Sequence, residues 1–201
     1  MFIAYKPELS FYATVHWEMH GSEPAFHGLS ATFVDEAPTS LDNGWIYASV
    51  GDTYSGLKPV GLGLDWVAGR LVGLKFWFAC YYFEDETAYR YRYKIIAYDD
   101  RQSSNPFQRY LLDVSRNGYL AVYKPSNLGR SADEAPLWEL SGLDPWALQD
   151  DMAVSNVTLI SPAGKPVRRL MEDNFPYLND QTGHDTRFTI KVAEDARRRP
   201  W

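Results

Sequence analysis

The sequence has little of what disulfide scaffolds, membrane proteins or secreted proteins require. It contains one cysteine, Cys80, among 201 residues, so no disulfide can form within the chain. No apolar run approaches the roughly 18 residues that a membrane-spanning helix needs. The first residues show no basic segment followed by an apolar core, so no signal peptide is predicted. We therefore expect a soluble protein that is cytoplasmic at synthesis, and a membrane is not the expected partner.

Catalytic and cofactor motifs are also missing. The sequence has no Gly-x-Ser-x-Gly elbow, and Cys80 lies within an apolar strand pattern instead of at a helix N-terminus that would lower its pKa. The glycine-rich residues 51–73 lack the third glycine of a dinucleotide fingerprint and no Gly-Lys-Ser/Thr follows them. These residues predict bends between strands, and no cofactor is predicted. Binding is favoured over catalysis.

Positive charge is scarce as well, which bears on the class of partner. Asp and Glu number 26 against 20 Lys and Arg, a net charge of −6, so nucleic acid is not the expected partner. Hydrophobic residues make up 45% and charged residues 23%, which is typical of a globular chain. We predict one domain over residues 1–201, with a frayed tail at 194–201. The sequence predicts no particular oligomeric state.

What the sequence has is alternation with a period of two. In "FYATVHWEMH", Phe11, Ala13 and Val15 share one face of a half-buried strand, and similar patterns recur at 29–34, 45–50, 109–114, 119–123, 156–161 and 186–192. Asn-Gly pairs at 43–44 and 117–118 predict tight hairpins. Asp144-Pro145 predicts one short helix over 145–152. The fold class is all-β, a single-domain antiparallel sandwich or barrel of roughly ten strands.

One strand carries a group of residue types that bind metals. His16, Glu18 and His20 would project from the same face, each about 6.7 Å from the next. All three span about 13 Å, which is too far for bonds of about 2 Å to one ion. A site would need two of them and a remote ligand, and a solvated polar face is the simpler interpretation. We therefore predict no metal site.

The densest aromatic segment is "LKFWFACYYFEDETAYRYRYKIIAY" (74–98), with ten aromatic rings. A turn over 84–87 would pair Phe83 with Ala88. That register puts an apolar face on the core: Phe76, Phe78, Cys80 and Tyr82 opposite Ile95, Tyr93, Tyr91 and Tyr89. The other face would then pair Trp77 with Lys94 and Tyr81 with Arg90. Cross-strand cation–π pairs of this kind contribute roughly 0.5–1 kcal/mol when exposed.

The second face of this hairpin is the predicted ligand surface. Its candidate ligand-binding residues are Trp77, Tyr81, Arg90, Arg92 and Lys94. Aromatic platforms with adjacent donors suit sugars and small anionic molecules, so we expect a small molecule or glycan as partner. The alternative is a solvent face covered by long basic side chains, or a packing surface for a second sheet. A slip of one residue would exchange the two faces.

Three functions remain open at this stage. The favoured one is a non-enzymatic protein that binds a carbohydrate or small amphipathic ligand on the aromatic and basic face. The second is a small barrel enzyme acting on an apolar or aromatic molecule in a closed pocket that contains His16 or Glu18. The third is a membrane-active, toxin-like protein whose tyrosines and tryptophans meet the lipid interface.

Overall fold

The computed structural model describes residues 2–17, 29–34, 44–48, 69–73, 75–84, 89–98, 110–123, 136–172, 175–194 and 196. These residues contain fifteen strands: Phe2–Tyr5 (β1), Phe11–Trp17 (β2), Leu29–Val34 (β3), Gly44–Ala48 (β4), Gly69–Gly73 (β5), Lys75–Glu84 (β6), Tyr89–Tyr98 (β7), Leu111–Val114 (β8), Leu120–Tyr123 (β9), Glu139–Ser141 (β10), Ala153–Ile160 (β11), Arg168–Glu172 (β12), Phe175–Asn179 (β13), His184–Asp185 (β14) and Phe188–Val192 (β15). One 3-10 turn, Pro7–Leu9, separates β1 from β2.

Every strand pair is antiparallel, as the turn-rich sequence predicts. The main strand order is β10-β11-β15-β2-β6-β7-β8-β9-β4-β13-β12-β14, with β1 added to β6, β3 added to β4 and β5 added to β3. This confirms the all-β antiparallel class. The path runs from β10 to β14 and the sheets are not closed into a barrel, so the sandwich is the better description of the two predicted architectures.

The longest ladder joins β6 to β7. It runs through ten consecutive pairs, from Lys75 opposite Tyr98 to Glu84 opposite Tyr89. The predicted register is wrong by two residues, because Phe83 pairs with Arg90 and the loop covers 85–88 instead of 84–87. Side chains alternate with a period of two, so a slip of two residues changes the partners but keeps each residue on its predicted face.

The main core lies on the predicted apolar face of this hairpin. Phe76, Phe78 and Cys80 are all fully buried there. The Phe78 ring stacks on Phe11 of β2 at 4.9 Å between centroids, and Tyr93 of β7 meets Phe11 edge-on at 5.9 Å. Aromatic pairs in these geometries contribute about 0.5–1.5 kcal/mol beyond the burial of their area. The alternation predicted for β2 is confirmed, since Phe11, Ala13 and Val15 all lie in this core.

The edge of β6 is shared by two strands that the 3-10 turn separates. β1 pairs with the second half of β6, and β2 pairs with its first half. Ser10 connects the two: its hydroxyl accepts the Cys80 N–H at 2.9 Å and donates to the Lys6 carbonyl at 2.9 Å. A buried N–H without a partner would cost free energy, so this side chain completes the hydrogen bonding of β6 where the ladder is interrupted.

Trp138 brings the β10 region back against β7. Its backbone exchanges two hydrogen bonds with Tyr93, at 2.7 and 2.8 Å, and its indole N–H donates to the Leu112 carbonyl at 3.0 Å. The side chain is fully buried in the main core. Trp138 therefore joins β7, β8 and β10 through both its backbone and its side chain.

The predicted helix over 145–152 is not formed. Asp144 does accept a hydrogen bond from the backbone N–H of Trp146, at 3.0 Å. Two separate turns follow, closed by Ala147 N–H to the Asp144 carbonyl and by Met152 N–H to the Gln149 carbonyl. An isolated helix of eight residues is unstable without an apolar face to pack, so the capping signal makes a turn only. Within the described ranges, no helix is long and apolar enough to cross a membrane.

The predicted frayed tail is wrong at Ala196. This residue is 1% exposed, its carbonyl accepts the Tyr12 N–H at 2.9 Å, and its own N–H donates to Asp150 at 3.2 Å. The chain end thus continues along β2 after β15. Residues 197–201 lie outside the described residues.

We expect Trp138→Ala to lower the free energy of unfolding by about 3–5 kcal/mol, because it removes a buried indole and leaves a cavity. Trp146 is the matched control, since 63% of its surface is exposed and Trp146→Ala should cost less than about 1 kcal/mol. Urea unfolding followed by circular dichroism measures both. Equal losses in the two variants would contradict the central place of Trp138 in the core.

Candidate functional site

The five predicted ligand-binding residues lie on one face of the β6–β7 hairpin, as predicted. Their partners differ from the prediction because of the two-residue slip. Trp77 is opposite Ile96, Lys94 is opposite Ala79, and Tyr81 is opposite Arg92. The predicted direct opposition of Trp77 and Lys94 across the strands is therefore wrong, as is that of Tyr81 and Arg90.

Trp77 is not a surface residue. It is 1% exposed and its ring lies 4.6 Å from the ring of Tyr12 between centroids. Together with Ala79, Ile96 and Leu111 these residues form a second, smaller core on the outer side of the sheet. These residues come from neighbouring strands of one sheet, β2, β6, β7 and β8, and they bury Trp77, so Trp77 is not placed to stack on a ligand.

The distal half of the same face is open. There β1 extends the sheet, so Tyr5 lies opposite Tyr81 and Ile3 lies opposite Phe83. The rings of Tyr5 and Tyr81 are 5.4 Å apart between centroids, and Tyr5 and Ile3 are 44% and 47% exposed. The sequence reasoning missed Ile3 and Tyr5, although "FIAY" has the alternation of a short strand.

Two arginines accompany these rings. The Arg92 guanidinium lies 5.4 Å from the centroid of the Phe83 ring, and Arg90, directly opposite Phe83, is exposed. Lys94 is half-buried one alternating position further along β7. We call the set the aromatic–basic patch: Ile3, Tyr5, Tyr81, Phe83, Arg90 and Arg92. It combines the exposed ring of Tyr5 and the half-buried rings of Tyr81 and Phe83 with guanidinium donors, which can hold a flat molecule and an anionic group side by side.

The described outward positions of β1, β6 and β7 carry no carboxylate, whereas Asp113 of the neighbouring β8 lies on the same side of the sheet, two residues after Leu111. On β6 the outward residues are Lys75, Trp77, Ala79, Tyr81 and Phe83, and on β7 they are Arg90, Arg92, Lys94 and Ile96. The two residues of β1 on this side are Ile3 and Tyr5. The face is therefore locally basic on a chain whose net charge is −6.

The opposite face of the distal hairpin is also aromatic. Tyr82 and Tyr91 are paired there, with ring centroids 5.8 Å apart, and the Lys6 ammonium lies 5.8 Å from the Tyr82 ring. The indole N–H of the exposed Trp146 donates to the Tyr91 hydroxyl at 2.8 Å. Trp146 reaches this position from the turn that the sequence reasoning took for a helix.

The metal candidates do not form a site in the described structure. His16 lies on the face of β2 opposite the main core, where its Nε2 is 2.7 Å from the Thr14 hydroxyl. Glu18 and His20 lie outside the described residues. No group of three or more His, Cys, Asp or Glu residues in the described part of the chain is arranged to hold a metal ion. His16 also does not point into the main core, where the barrel-enzyme hypothesis would need it.

Cys80 is shielded from the chemistry of a nucleophile. It is fully buried, and burial raises the pKa of its thiol to about 12, although the neighbouring Tyr93 hydroxyl lowers it in part. Burial also raises the pKa of Tyr93 above its ordinary value. The thiolate is the reactive form of cysteine, so Cys80 is an inert core residue at neutral pH.

No protein-family model, no curated protein and no solved structure matches this chain. What the chain binds is therefore inferred from its own surface chemistry.

The raised pKa of Cys80 has a consequence for stability at high pH. In the unfolded chain the thiol ionises near its ordinary pKa of 9.0, whereas in the folded protein it keeps its proton up to about 12. The contribution of the protonated Cys80 thiol to stability is complete below pH 9.0 and is lost as the pH rises from 9.0 to about 12. When the pH is raised from about 8 to about 10, we expect the free energy of unfolding to fall by up to about 1 kcal/mol more in wild type than in Cys80→Ala. Urea unfolding at the two pH values tests this, and identical losses would contradict it.

Proposed function

We propose that this protein is a non-enzymatic binding protein whose aromatic–basic patch takes a small ligand that combines a ring with an anionic group. An acidic carbohydrate is the ligand class that this chemistry favours, and a small amphipathic carboxylate is the nearest variation. The observation that carries the proposal is the ring pair of the exposed Tyr5 and the half-buried Tyr81, which lies directly opposite Arg92 on one sheet surface.

The tyrosine rings support binding of the ring part of the ligand. Tyr5 and Tyr81 are held by the backbone pairing of β1 with β6, so their positions do not depend on a flexible loop. A tyrosine has an apolar ring and a hydroxyl at its end, which suits the apolar face and hydroxyl groups of a sugar. Two such rings at 5.4 Å form a tilted platform that is wider than either ring alone.

The arginines support binding of the anionic group of the ligand. Arginine binds a carboxylate, sulfate or phosphate through parallel N–H donors, and its planar group stacks on aromatic rings as Arg92 does on Phe83. The described outward positions of β1, β6 and β7, which carry the patch, include no acid, so these guanidinium groups have no carboxylate on their own strands to compete with a ligand. An anionic ligand is therefore favoured over a neutral or cationic one.

The same residues argue for binding instead of catalysis. Phenol, phenyl and guanidinium groups hold a ligand, but none of them is an effective general base near neutral pH. The one thiol in the chain is buried on the other side of β6.

An array of neutral and acidic glycans, followed by calorimetry with the best ligand, tests the proposal. We expect binding to uronic-acid or sulfated glycans, weakened at least about tenfold in Arg92→Met, which keeps the apolar stem but removes the donors. Tyr81→Ala should weaken it similarly, while Tyr81→Phe should keep most of the affinity because the ring remains.

The matched control is Arg116→Met, which removes an exposed arginine on the β8–β9 turn. It should bind as wild type does. Trp77→Ala is not a suitable probe, because it removes a residue that is 1% exposed and should unfold the second core. An array on which no acidic glycan binds, or an Arg92→Met variant with wild-type affinity, would refute the proposal.

A further inference from the structure

A groove of about 280 Å³ opens where β9, β12 and β13 meet, away from the aromatic–basic patch. Its lining is Asn117, Tyr119, Glu172 and Tyr177, which we call the tyrosine groove. The volume is near the lower end of small-molecule sites, which span about 300–1,000 Å³. The groove therefore suits a small group, or one end of a larger molecule.

The Asn117 end of the groove is fixed by a hydrogen-bond network around the buried Asn179. Asn179, 1% exposed, donates to the Asn117 carbonyl at 3.1 Å and accepts the N–H groups of Gln181 and Thr182 at 2.7 and 2.9 Å. Gly118 allows this close approach: it has φ +86, and a Cβ there would lie 2.7 Å from the Asn179 side-chain oxygen. Two turns, 115–118 and 179–182, are thereby fixed to each other. Because these turns are already fixed in the unliganded protein, little conformational entropy is lost when a ligand binds.

The walls combine two aromatic rings with a carboxylate. The Tyr119 and Tyr177 rings are nearly perpendicular, at 80°, with centroids 5.3 Å apart. The Tyr119 hydroxyl donates a hydrogen bond to the Glu172 carboxylate, which fixes the negative group beside the rings. Perpendicular ring faces and a carboxylate are the elements of an aromatic cage for ammonium ions.

The charges around Glu172 favour a cationic ligand, because the nearest arginine on the same side of β12 is paired elsewhere. Arg168 lies on the same side of β12 but four residues away, about 13 Å along the strand. Its guanidinium is paired with Asp185 at 3.3 Å and donates to the Gln181 carbonyl at 3.4 Å. Arg168 is paired with Asp185, and the described residues that line the groove include one carboxylate and no cation. Among these residues the groove therefore presents negative charge and electron-rich ring faces to a ligand.

We propose that the tyrosine groove binds an alkylated ammonium group, held over the Tyr119 and Tyr177 rings and paired with Glu172. A methylated ammonium is preferred to a primary amine because its methyl groups bury apolar surface against the rings while it stays charged. The chemistry is shared by free choline-type molecules and by methylated lysine side chains. This site goes beyond the proposed function and selects the opposite charge, so each can fail without the other.

Titration with choline, followed by NMR of the tyrosine rings or by calorimetry, tests the charge requirement. The neutral isostere 3,3-dimethyl-1-butanol has the same shape without the charge and should bind at least about tenfold more weakly. A peptide carrying trimethyllysine forms the second arm. Tighter binding of that peptide than of choline would identify a methylated chain segment as the ligand, and equal or tighter binding of choline would identify a small free molecule.

Variants test the residues. Glu172→Gln keeps the shape and an acceptor for Tyr119 but removes the charge, and should weaken choline binding about tenfold. Glu194→Gln, which removes an exposed carboxylate elsewhere, is the matched control and should change nothing. Tyr177→Leu should abolish choline binding. Tyr177→Phe preserves the ring and is the control for a folding defect at this position, so it should retain binding.

Four results would overturn this proposal. One is the absence of saturable choline binding up to about 10 mM. Another is equal affinity for choline and its neutral isostere. The third is unchanged binding in Glu172→Gln. Tighter binding of a neutral methyl glycoside than of choline would likewise show that the groove takes a sugar instead of a cation.

Discussion

The uninterrupted ladder between β6 and β7 is the constraint on which the rest of the structure depends. Ten consecutive pairs without a bulge keep the alternation of side chains in phase along the whole hairpin. Phe78 on one side and Trp77 on the other therefore belong to two separate cores, although they are neighbours in sequence. The strands extend past both cores, and the aromatic side chains near their distal ends, such as Tyr81 and Phe83, are only partly buried. The candidate binding surface is a consequence of this excess length.

Local patterns in the sequence account for much of this architecture. The strand Leu29–Val34 is predicted with its observed bounds, and Asn117-Gly118 does form a hairpin turn. Even the wrong register of β6 and β7 preserves the two faces, because the slip is an even number of residues. Alternation is local information, so it survives errors in pairing. The helix prediction at 145–152 fails for the complementary reason, because a cap needs a packed face behind it to make a helix.

The composition of the site could be predicted only in part, since it depends on contacts between distant segments. Trp77 is buried because Tyr12 packs on it and Ala193 joins the same cluster. Tyr5 enters the patch because the 3-10 turn and Ser10 let β1 and β2 share one edge of β6. Neither event has a signature in the segment 74–98. A sequence pattern can thus assign a residue to a face, but which part of that face stays open is decided by the strands that pack on it.

The two proposed sites use the same kind of side chain for opposite ligands, and the reason is their electrostatic surroundings. A tyrosine ring accepts either a sugar face or a cation, so the ring alone selects neither. Beside Tyr81 the nearby charge is the guanidinium of Arg92, directly across the ladder. Beside Tyr119 it is the carboxylate of Glu172, which the tyrosine hydroxyl itself holds in place. Because the rings supply contact area and the adjacent charge supplies the sign, a chain rich in tyrosine can present two surfaces that do not compete for one ligand.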